Sequence, residues 1–128
     1  MKKNISILGS TGSIGLCTLN ILKKKKRFFK FNIFIANKNY QLICKQIKEF
    51  KPKIFVINDP KIFEKVKNKF KKYKINIIKN LDSYKKKIKK SDITIAAIPG
   101  IAGLKPTIDL TKKSKKILIA NKESVICG

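Results

Sequence analysis

The chain has 128 residues, of which 43% are hydrophobic, so it is long enough to bury a core and too apolar to be intrinsically disordered. No apolar run approaches the length of about 20 residues that spans a bilayer, which argues against a membrane protein. The net charge is +25, from 32 basic and 7 acidic residues. Such an excess is typical of proteins that bind nucleic acid or an anionic surface.

Two features of this charge weaken the nucleic-acid interpretation. Arg27 is the one arginine, whereas nucleic-acid sites favour the arginine fork. Lysine is also spread over nearly every segment, together with many isoleucines and asparagines, which is a bias that an AT-rich genome produces. We therefore expect most lysines to be solvated, and any binding to nucleic acid to be non-specific.

The N-terminus and the cysteines predict a cytoplasmic protein. The basic residues of "MKKNISILGS" precede an apolar stretch that stops at Gly9, which is too short for a signal peptide. Cys17, Cys44 and Cys127 are odd in number and lack the spacing of metal ligands. This pattern suits free thiols in a reducing compartment.

Strand-like and helix-like segments alternate along the chain. The strand segments are nearly continuously apolar, as expected where helices cover both faces of a sheet, and the helical segments carry apolar residues at helical spacing. The pattern predicts one α/β domain over residues 1–128, Rossmann-like and doubly wound, with a mainly parallel sheet and helices on both faces. The predicted elements are strand 4–8, helix 13–26, strand 31–36, helix 40–50, strand 53–58, helix 60–72, strand 75–79, helix 81–90, strand 92–98, helix 106–113 and strand 116–120.

Three glycines lie between the first strand and the first helix, in "ILGSTGSIG". A strand, G-x-x-G-x-x-G and a helix follow one another as in a dinucleotide-binding fingerprint. We expect Gly9 to allow the tight turn, Gly12 to let backbone N–H groups approach a pyrophosphate, and Gly15 to let the helix pack closely on the strand.

Two further features of this segment favour a phosphate. Ser10, Thr11 and Ser13 would add hydroxyl donors, and the helix N-terminus would present its free N–H groups and the positive end of its dipole. An ordinary tight strand-to-helix turn is the alternative interpretation.

The end of the second strand bears on which dinucleotide is bound. An NAD site usually has Asp or Glu there, which binds the ribose 2′-hydroxyl. This chain has Ala36, Asn37, Lys38 and Asn39, so no carboxylate repels a 2′-phosphate and Lys38 would attract one. The sequence favours NADP(H), although Lys38 is also one of many lysines.

Taken together, four segments resemble the N-terminal domain of the 1-deoxy-D-xylulose 5-phosphate reductoisomerase family. They are "ILGSTGSIG", "ANKN", "AAIPGIAGLKPT" and "LIANKESVICG", and their order and spacing match along the whole chain. The resemblance implies an enzyme of the non-mevalonate isoprenoid pathway. Members of the family rearrange 1-deoxy-D-xylulose 5-phosphate and reduce the product with NADPH to 2-C-methyl-D-erythritol 4-phosphate, using a divalent metal (Mg, Mn or Co).

The resemblance also assigns residues to parts of the cofactor and substrate. The pyrophosphate side of NADPH would be held by Thr11, Gly12, Ser13 and Ile14, and the 2′-phosphate by Asn37, Lys38 and Asn39. Asn121 and Glu123 would contact the nicotinamide side, and Lys122 the substrate. Lys122 follows a predicted strand, at the edge where open parallel sheets bind ligands.

The chain departs from the family pattern at two positions. Asn37 stands where the family usually has glycine, and asparagine is the residue that best tolerates a positive φ in its place. Pro99, in "AAIPG", replaces a more usual aliphatic residue and removes one backbone donor, which would alter the loop near the nicotinamide.

Family members are much longer than this chain, and their metal carboxylates follow the Asn-Lys-Glu-Ser motif. The chain has no histidine, and its 7 acidic residues are scattered, with no pair suited to a metal. We therefore expect residues 1–128 to form the NADPH-binding portion and not to catalyse alone. The metal would bind only with the further domain. The full-length family member is expected to take the sugar phosphate and to form a homodimer.

Two alternatives stay open at this point. One is a basic Rossmann-like nucleotide- or nucleic-acid-binding protein without catalysis, for which the runs Lys23–Lys26 and Lys85–Lys87 are the best support. The other is a domain that senses a nucleotide. Binding to nucleic acid that vanishes with salt would be non-specific.

Overall fold

The computed structural model describes residues 2–80, 91–97 and, for the backbone alone, 114–119. The predicted alternation of strands and helices is confirmed across these ranges. The predicted helices 81–90 and 106–113 lie outside them. The elements are β1 (Lys3–Leu8), α1 (Ser13–Lys23), β2 (Phe29–Ala36), α2 (Tyr40–Phe50), β3 (Ile54–Ile57), α3 (Pro60–Lys69), β4 (Asn76–Ile78), β5 (Ser91–Ala96) and β6 (Ser114–Ile119), with a turn of 3₁₀ helix at Lys26–Phe28.

The strands form one parallel sheet in the order β4-β3-β2-β1-β5-β6. The chain runs outward from β1 to β4 and then returns to place β5 on the other side of β1. The order therefore reverses between β1 and β5. Open α/β sheets bind their ligands beyond the carboxyl ends of the strands at such a reversal, so this topology places the candidate site at the end of β1.

The helices α1, α2 and α3 cover one face of the sheet. Leu19 and Leu22 of α1, Ile47 of α2 and Val66 of α3 pack in one cluster with sheet residues such as Phe34. A second buried cluster, from alternate strand positions, lies on the opposite face: Leu8, Ile33, Ile35, Ile54, Val56, Ile78 and Ala96. Since both faces of the strands are buried, the sequence reads as continuously apolar there.

A bulge interrupts the pairing of β1 with β2. Ile5 lies opposite Phe31 but Ile7 lies opposite Phe34, so β2 has one extra residue. Such a residue leaves part of the ladder unpaired. The hydroxyl of Ser6 accepts a hydrogen bond from the Ile33 N–H at 3.2 Å, which replaces the missing ladder partner.

Ser6 also belongs to a buried polar network in the sheet. Its Oγ lies 2.6 Å from the Oγ of Ser91 on β5, and the Asn32 side-chain amide donates to Ser91 Oγ at 2.9 Å. All three side chains are buried. The network therefore joins β2, β1 and β5 beneath the reversal of strand order.

The cysteines differ from the expectation of three free thiols. Cys44 is free and buried on α2, whereas Cys17 on α1 is disulfide-bonded. The prediction of free thiols is therefore wrong for Cys17. Within the portion that the structure describes, none of the helices has the length and apolarity needed to cross a membrane.

We predict that Ser6→Ala lowers the free energy of unfolding by about 1–3 kcal/mol, because it leaves a buried N–H without an acceptor. Urea denaturation measures this change. Ser13→Ala serves as the control, since Ser13 is exposed and its loss should change stability by no more than about 0.5 kcal/mol. Equal effects of the two substitutions would contradict the role given to Ser6.

Candidate cofactor-binding site

The glycine segment lies at the carboxyl end of β1, as the topology requires. Gly9 has a φ of 83°, a conformation that glycine adopts without steric cost, so the predicted tight turn is confirmed. The N–H groups of Gly9 and Ser10 both donate to the Ile35 carbonyl, at 2.8 and 3.0 Å. On the other side of β1, the Ala97 N–H donates to the Leu8 carbonyl at 2.8 Å. The turn is therefore fixed to the ends of both neighbouring strands.

Gly15 allows α1 to approach this turn. A Cβ on Gly15 would lie 2.0 Å from the Gly9 carbonyl oxygen and 2.9 Å from the Gly9 and Ser10 carbonyl carbons. These are backbone atoms and cannot move aside as a side chain would. The close packing predicted for Gly15 is confirmed, and its partner is the residue that directly follows β1.

Gly12 faces open space instead. It is exposed, and a Cβ built there would meet one atom within 4 Å, the Gly9 carbonyl oxygen at 3.7 Å. Its φ of −75° and ψ of 170° are extended and open to any residue. The fold therefore does not need glycine at this position. The missing side chain leaves a cradle over the start of α1.

The N-terminus of α1 has no cap from a side chain and no acidic residue in its first turn. The N–H of Leu16 makes the first helical bond, to Gly12 at 2.8 Å. Among the described residues, the N–H groups of Ser13, Ile14 and Gly15 make no hydrogen bond. Uncapped N–H groups at a helix start, with the dipole behind them, form an anion-binding arrangement.

The other two helices begin differently. Asn39 caps α2 by accepting a hydrogen bond from the Leu42 N–H at 3.2 Å. Asp59 caps α3 by accepting from the Ile62 N–H at 3.0 Å. Within the described ranges, α1 is thus the α-helix whose start lacks a side-chain cap.

The structure corrects the role expected of Ser10. Its side chain is fully buried and its Oγ makes no hydrogen bond with the described residues, so the hydroxyl does not reach the surface as a donor. Thr11 is half-buried and Ser13 exposed, so those two hydroxyls can be reached.

Gln46 is a residue that the sequence analysis missed. Its side-chain amide donates to the Ser10 carbonyl at 2.8 Å and is 3% exposed. It therefore fastens the glycine turn to α2. Gln46 falls three residues after Ile43 and four before Phe50, inside the buried stripe of α2. A polar residue in an apolar stripe was the available signal.

The residues after β2 lie beside the glycine turn. Asn37, Lys38 and Asn39 are exposed, and the turn is bonded to Ile35, two residues before Asn37. The cap uses Asn39 Oδ1, so the two donors of its amide nitrogen remain for a ligand. This segment therefore offers donors and one positive charge next to the uncapped helix.

Asn37 does not need the conformational freedom that we expected of it. In the described part of the chain, Lys51 is the non-glycine residue with a positive φ, of 49°. Asn37 therefore lies outside the left-handed region, and an asparagine in place of glycine costs no backbone strain there.

Other predicted site residues lie outside the described residues, namely Asn121, Lys122, Glu123 and Pro99. For the described residues, no group of three or more His, Cys, Asp or Glu side chains is placed to hold a metal.

We predict that alanine destabilises the protein much more at Gly15 than at Gly12. Gly15→Ala should lower the free energy of unfolding by about 1–3 kcal/mol or more, the usual effect of overpacking, since the added Cβ would meet backbone atoms. Gly12→Ala should cost less than about 1 kcal/mol, as expected for a change at a helix N-cap. Thermal and urea denaturation of both variants test this, and a more destabilising Gly12→Ala would contradict the geometry.

Comparisons with known proteins agree with this arrangement. The sequence profile of the 1-deoxy-D-xylulose 5-phosphate reductoisomerase family matches residues 5–128. The enzyme of that name from Pelagibacter ubique is 43% identical over 129 residues, which cover 98% of this chain and 33% of the relative. The one from Buchnera aphidicola subsp. Schizaphis graminum is 40% identical, over 98% of this chain and 33% of the relative.

Solved structures give the same result. The reductoisomerase from Zymomonas mobilis in complex with NADPH has a TM-score of 0.84 and 30% identity, covering 97% of this chain and 33% of that one. A reductoisomerase in complex with NADPH, fosmidomycin and magnesium has a TM-score of 0.80 and 28% identity, covering 95% and 31%. The chain thus spans about a third of the length of these proteins, and it belongs to the 1-deoxy-D-xylulose 5-phosphate reductoisomerase family.

Proposed function

We propose that this chain binds NADPH and forms the cofactor-binding part of a reductoisomerase that acts on 1-deoxy-D-xylulose 5-phosphate. The observation that carries the proposal is the uncapped start of α1 beneath the exposed Gly12. This feature combines free N–H donors, a helix dipole and room for close approach. A structural relative in complex with NADPH supports the same ligand.

The pyrophosphate would lie over Thr11, Gly12, Ser13 and Ile14. The N–H groups of Ser13 and Ile14 have no acceptor among the described residues, so an anion there satisfies them. The exposed hydroxyl of Ser13 and the half-buried Thr11 add donors. A side chain on Gly12 would occupy the same space.

The adenosine 2′-phosphate would lie at Asn37, Lys38 and Asn39. Lys38 supplies an ammonium, and the Asn39 amide supplies donors that the helix cap does not use. No carboxylate occurs in this segment, so no negative charge there opposes the phosphate. This difference from an NAD site is the basis for preferring NADPH.

The remaining assignments are predictions that rest on the family resemblance. Asn121 and Glu123 would contact the nicotinamide side of the cofactor, and Lys122 the sugar phosphate. NADPH supplies a hydride when it is bound. The residues of this chain would hold and orient it, while groups that polarise the sugar oxygens and move protons are needed in addition.

We assign the polarisation of the sugar oxygens and the proton transfers to the two thirds of the related proteins that this chain does not match. A divalent metal would be held there, and residues 1–128 alone would not turn over the sugar phosphate. Magnesium is present in three of the solved reductoisomerase complexes. A homodimer completes the proposal. A cytoplasmic location stays a prediction from the N-terminal sequence, because the disulfide at Cys17 removes the argument from free thiols.

Two contacts weigh against a nucleic-acid surface at Lys23–Lys26. Lys23 Nζ forms an ion pair with Glu49 at 3.0 Å, and Lys26 Nζ donates to the Glu49 carbonyl at 3.3 Å. Half of this basic run therefore serves to join α1 to the end of α2. The alternative of a nucleic-acid-binding protein is accordingly less favoured.

We expect the chain to bind NADPH more tightly than NADH, because Lys38 attracts the 2′-phosphate and no carboxylate repels it. Fluorescence titration of both nucleotides at one ionic strength tests the preference. Since a net charge of +25 attracts any polyanion, the titration is repeated at high salt, which screens exposed charges. Equal affinities, or tighter binding of NADH, would contradict the proposal.

We also expect Gly12→Val to abolish binding of the dinucleotide while the fold persists. The valine side chain would fill the space over α1, yet its Cβ meets protein at an ordinary contact distance of 3.7 Å. Circular dichroism confirms that the variant is folded, and the titration is then repeated. Unchanged affinity in a folded variant would show that the segment is only a turn.

A further inference from the structure

Tyr40 directly follows the proposed site for the 2′-phosphate. It is the first residue of α2, next to the capping Asn39, and it is half-buried against the main core cluster. Its backbone lies just beyond the carboxyl end of β2, and packing on the core holds its ring in place.

Two lysines from the neighbouring helix α3 gather at this ring. Lys65 Nζ lies 5.9 Å from the centroid of Tyr40, and Lys69 Nζ lies 5.7 Å from it. Lys69 Nζ is also 6.0 Å from the centroid of Phe70. These are cation–π distances, which are attractive for an ammonium near the face of a ring. The aromatic ring thus confines two side chains that are otherwise flexible.

Neither Lys65 nor Lys69 forms an ion pair within the described ranges, although Glu64 adjoins Lys65 in the sequence. The ion pair present there joins Lys23 to Glu49, on the side of α2 that faces α1. Asp59, at the start of α3, has its carboxylate engaged by the Ile62 N–H. Two like charges on one ring repel each other, and an anion placed between them would relieve that repulsion.

We propose that Lys65 and Lys69, held by Tyr40, form a second cationic wall for the 2′-phosphate and raise the selectivity for NADPH over NADH. The inference rests on the proposed function, since it needs the dinucleotide to lie along Asn37–Asn39. A phosphate monoester carries a charge of about −1.5 to −2 near neutral pH, more than Lys38 alone can neutralise. Tyr40 acts as a positioning residue, because its ring holds the two ammonium groups.

The test compares two double variants that remove the same charge. In Lys65→Gln/Lys69→Gln the cationic wall is lost. In Lys71→Gln/Lys72→Gln two exposed lysines beyond the end of α3 are lost. Affinities for NADPH and NADH are measured by fluorescence titration at one ionic strength. The first variant should bind NADPH about three- to tenfold more weakly, as expected for two solvent-exposed ion pairs, with affinity for NADH unchanged. The second should leave the ratio of the two affinities as in the unmodified chain.

Tyr40 is tested through the ratio of the affinities for NADPH and NADH. Partial unfolding does not change this ratio, because it weakens the binding of both nucleotides equally. Tyr40→Leu should lower the preference for NADPH, and Tyr40→Phe, which keeps a ring, should retain it. If Lys65→Gln/Lys69→Gln keeps the full preference, the proposal is overturned. If the unmodified chain shows no preference for NADPH, the cofactor assignment itself has failed. That outcome is seen before any variant is made.

Discussion

At the start of α1, Gly15 lies so close to the turn that a Cβ would stand 2.0 Å from the Gly9 carbonyl oxygen. This approach brings the helix N-terminus directly onto the end of β1, where the strand order reverses. The turn is fixed on its other side by the Ile35 carbonyl and from below by Gln46. The free N–H groups of α1 are thus held in a rigid position before any ligand arrives, so binding requires little ordering of the protein.

Much of the fold follows from the sequence because two patterns dominate it. The strands are largely apolar, and α2 and α3 carry apolar stripes at helical spacing. Element ends were harder to predict. We expected α1 to reach residue 26, yet it ends at Lys23. The lysine run contains neither glycine nor proline, so nothing local marks the change into the 3₁₀ turn that feeds β2.

The roles of site residues that depend on backbone geometry were predictable from the sequence. The roles that depend on side-chain burial were less predictable. Glycine spacing alone predicted the tight turn at Gly9 and the close packing at Gly15. Ser10 looked like its neighbours in sequence but is fully buried, because its N–H and carbonyl are both taken up by the protein. The bulge in β2 and its partner Ser6 depend on pairing between strands, which a single sequence does not display.

Some lysines of this chain contact the protein surface rather than extending into solvent. Several ammonium groups lie near aromatic rings, such as Lys67 and Lys79 beside Phe63. Their stems also cover apolar surface around the core. A basic composition of this kind therefore has local structural roles.

The central claim is that NADPH binds along the turn at α1 and the end of β2. Amide chemical-shift mapping during titration with NADPH at high salt tests this most directly. We predict the largest shifts at residues 11–14 and 37–40, with little change at the amino ends of the strands around Lys30 and Lys53. Shifts concentrated at those amino ends, or residues 11–14 left unperturbed at saturation, would contradict the account.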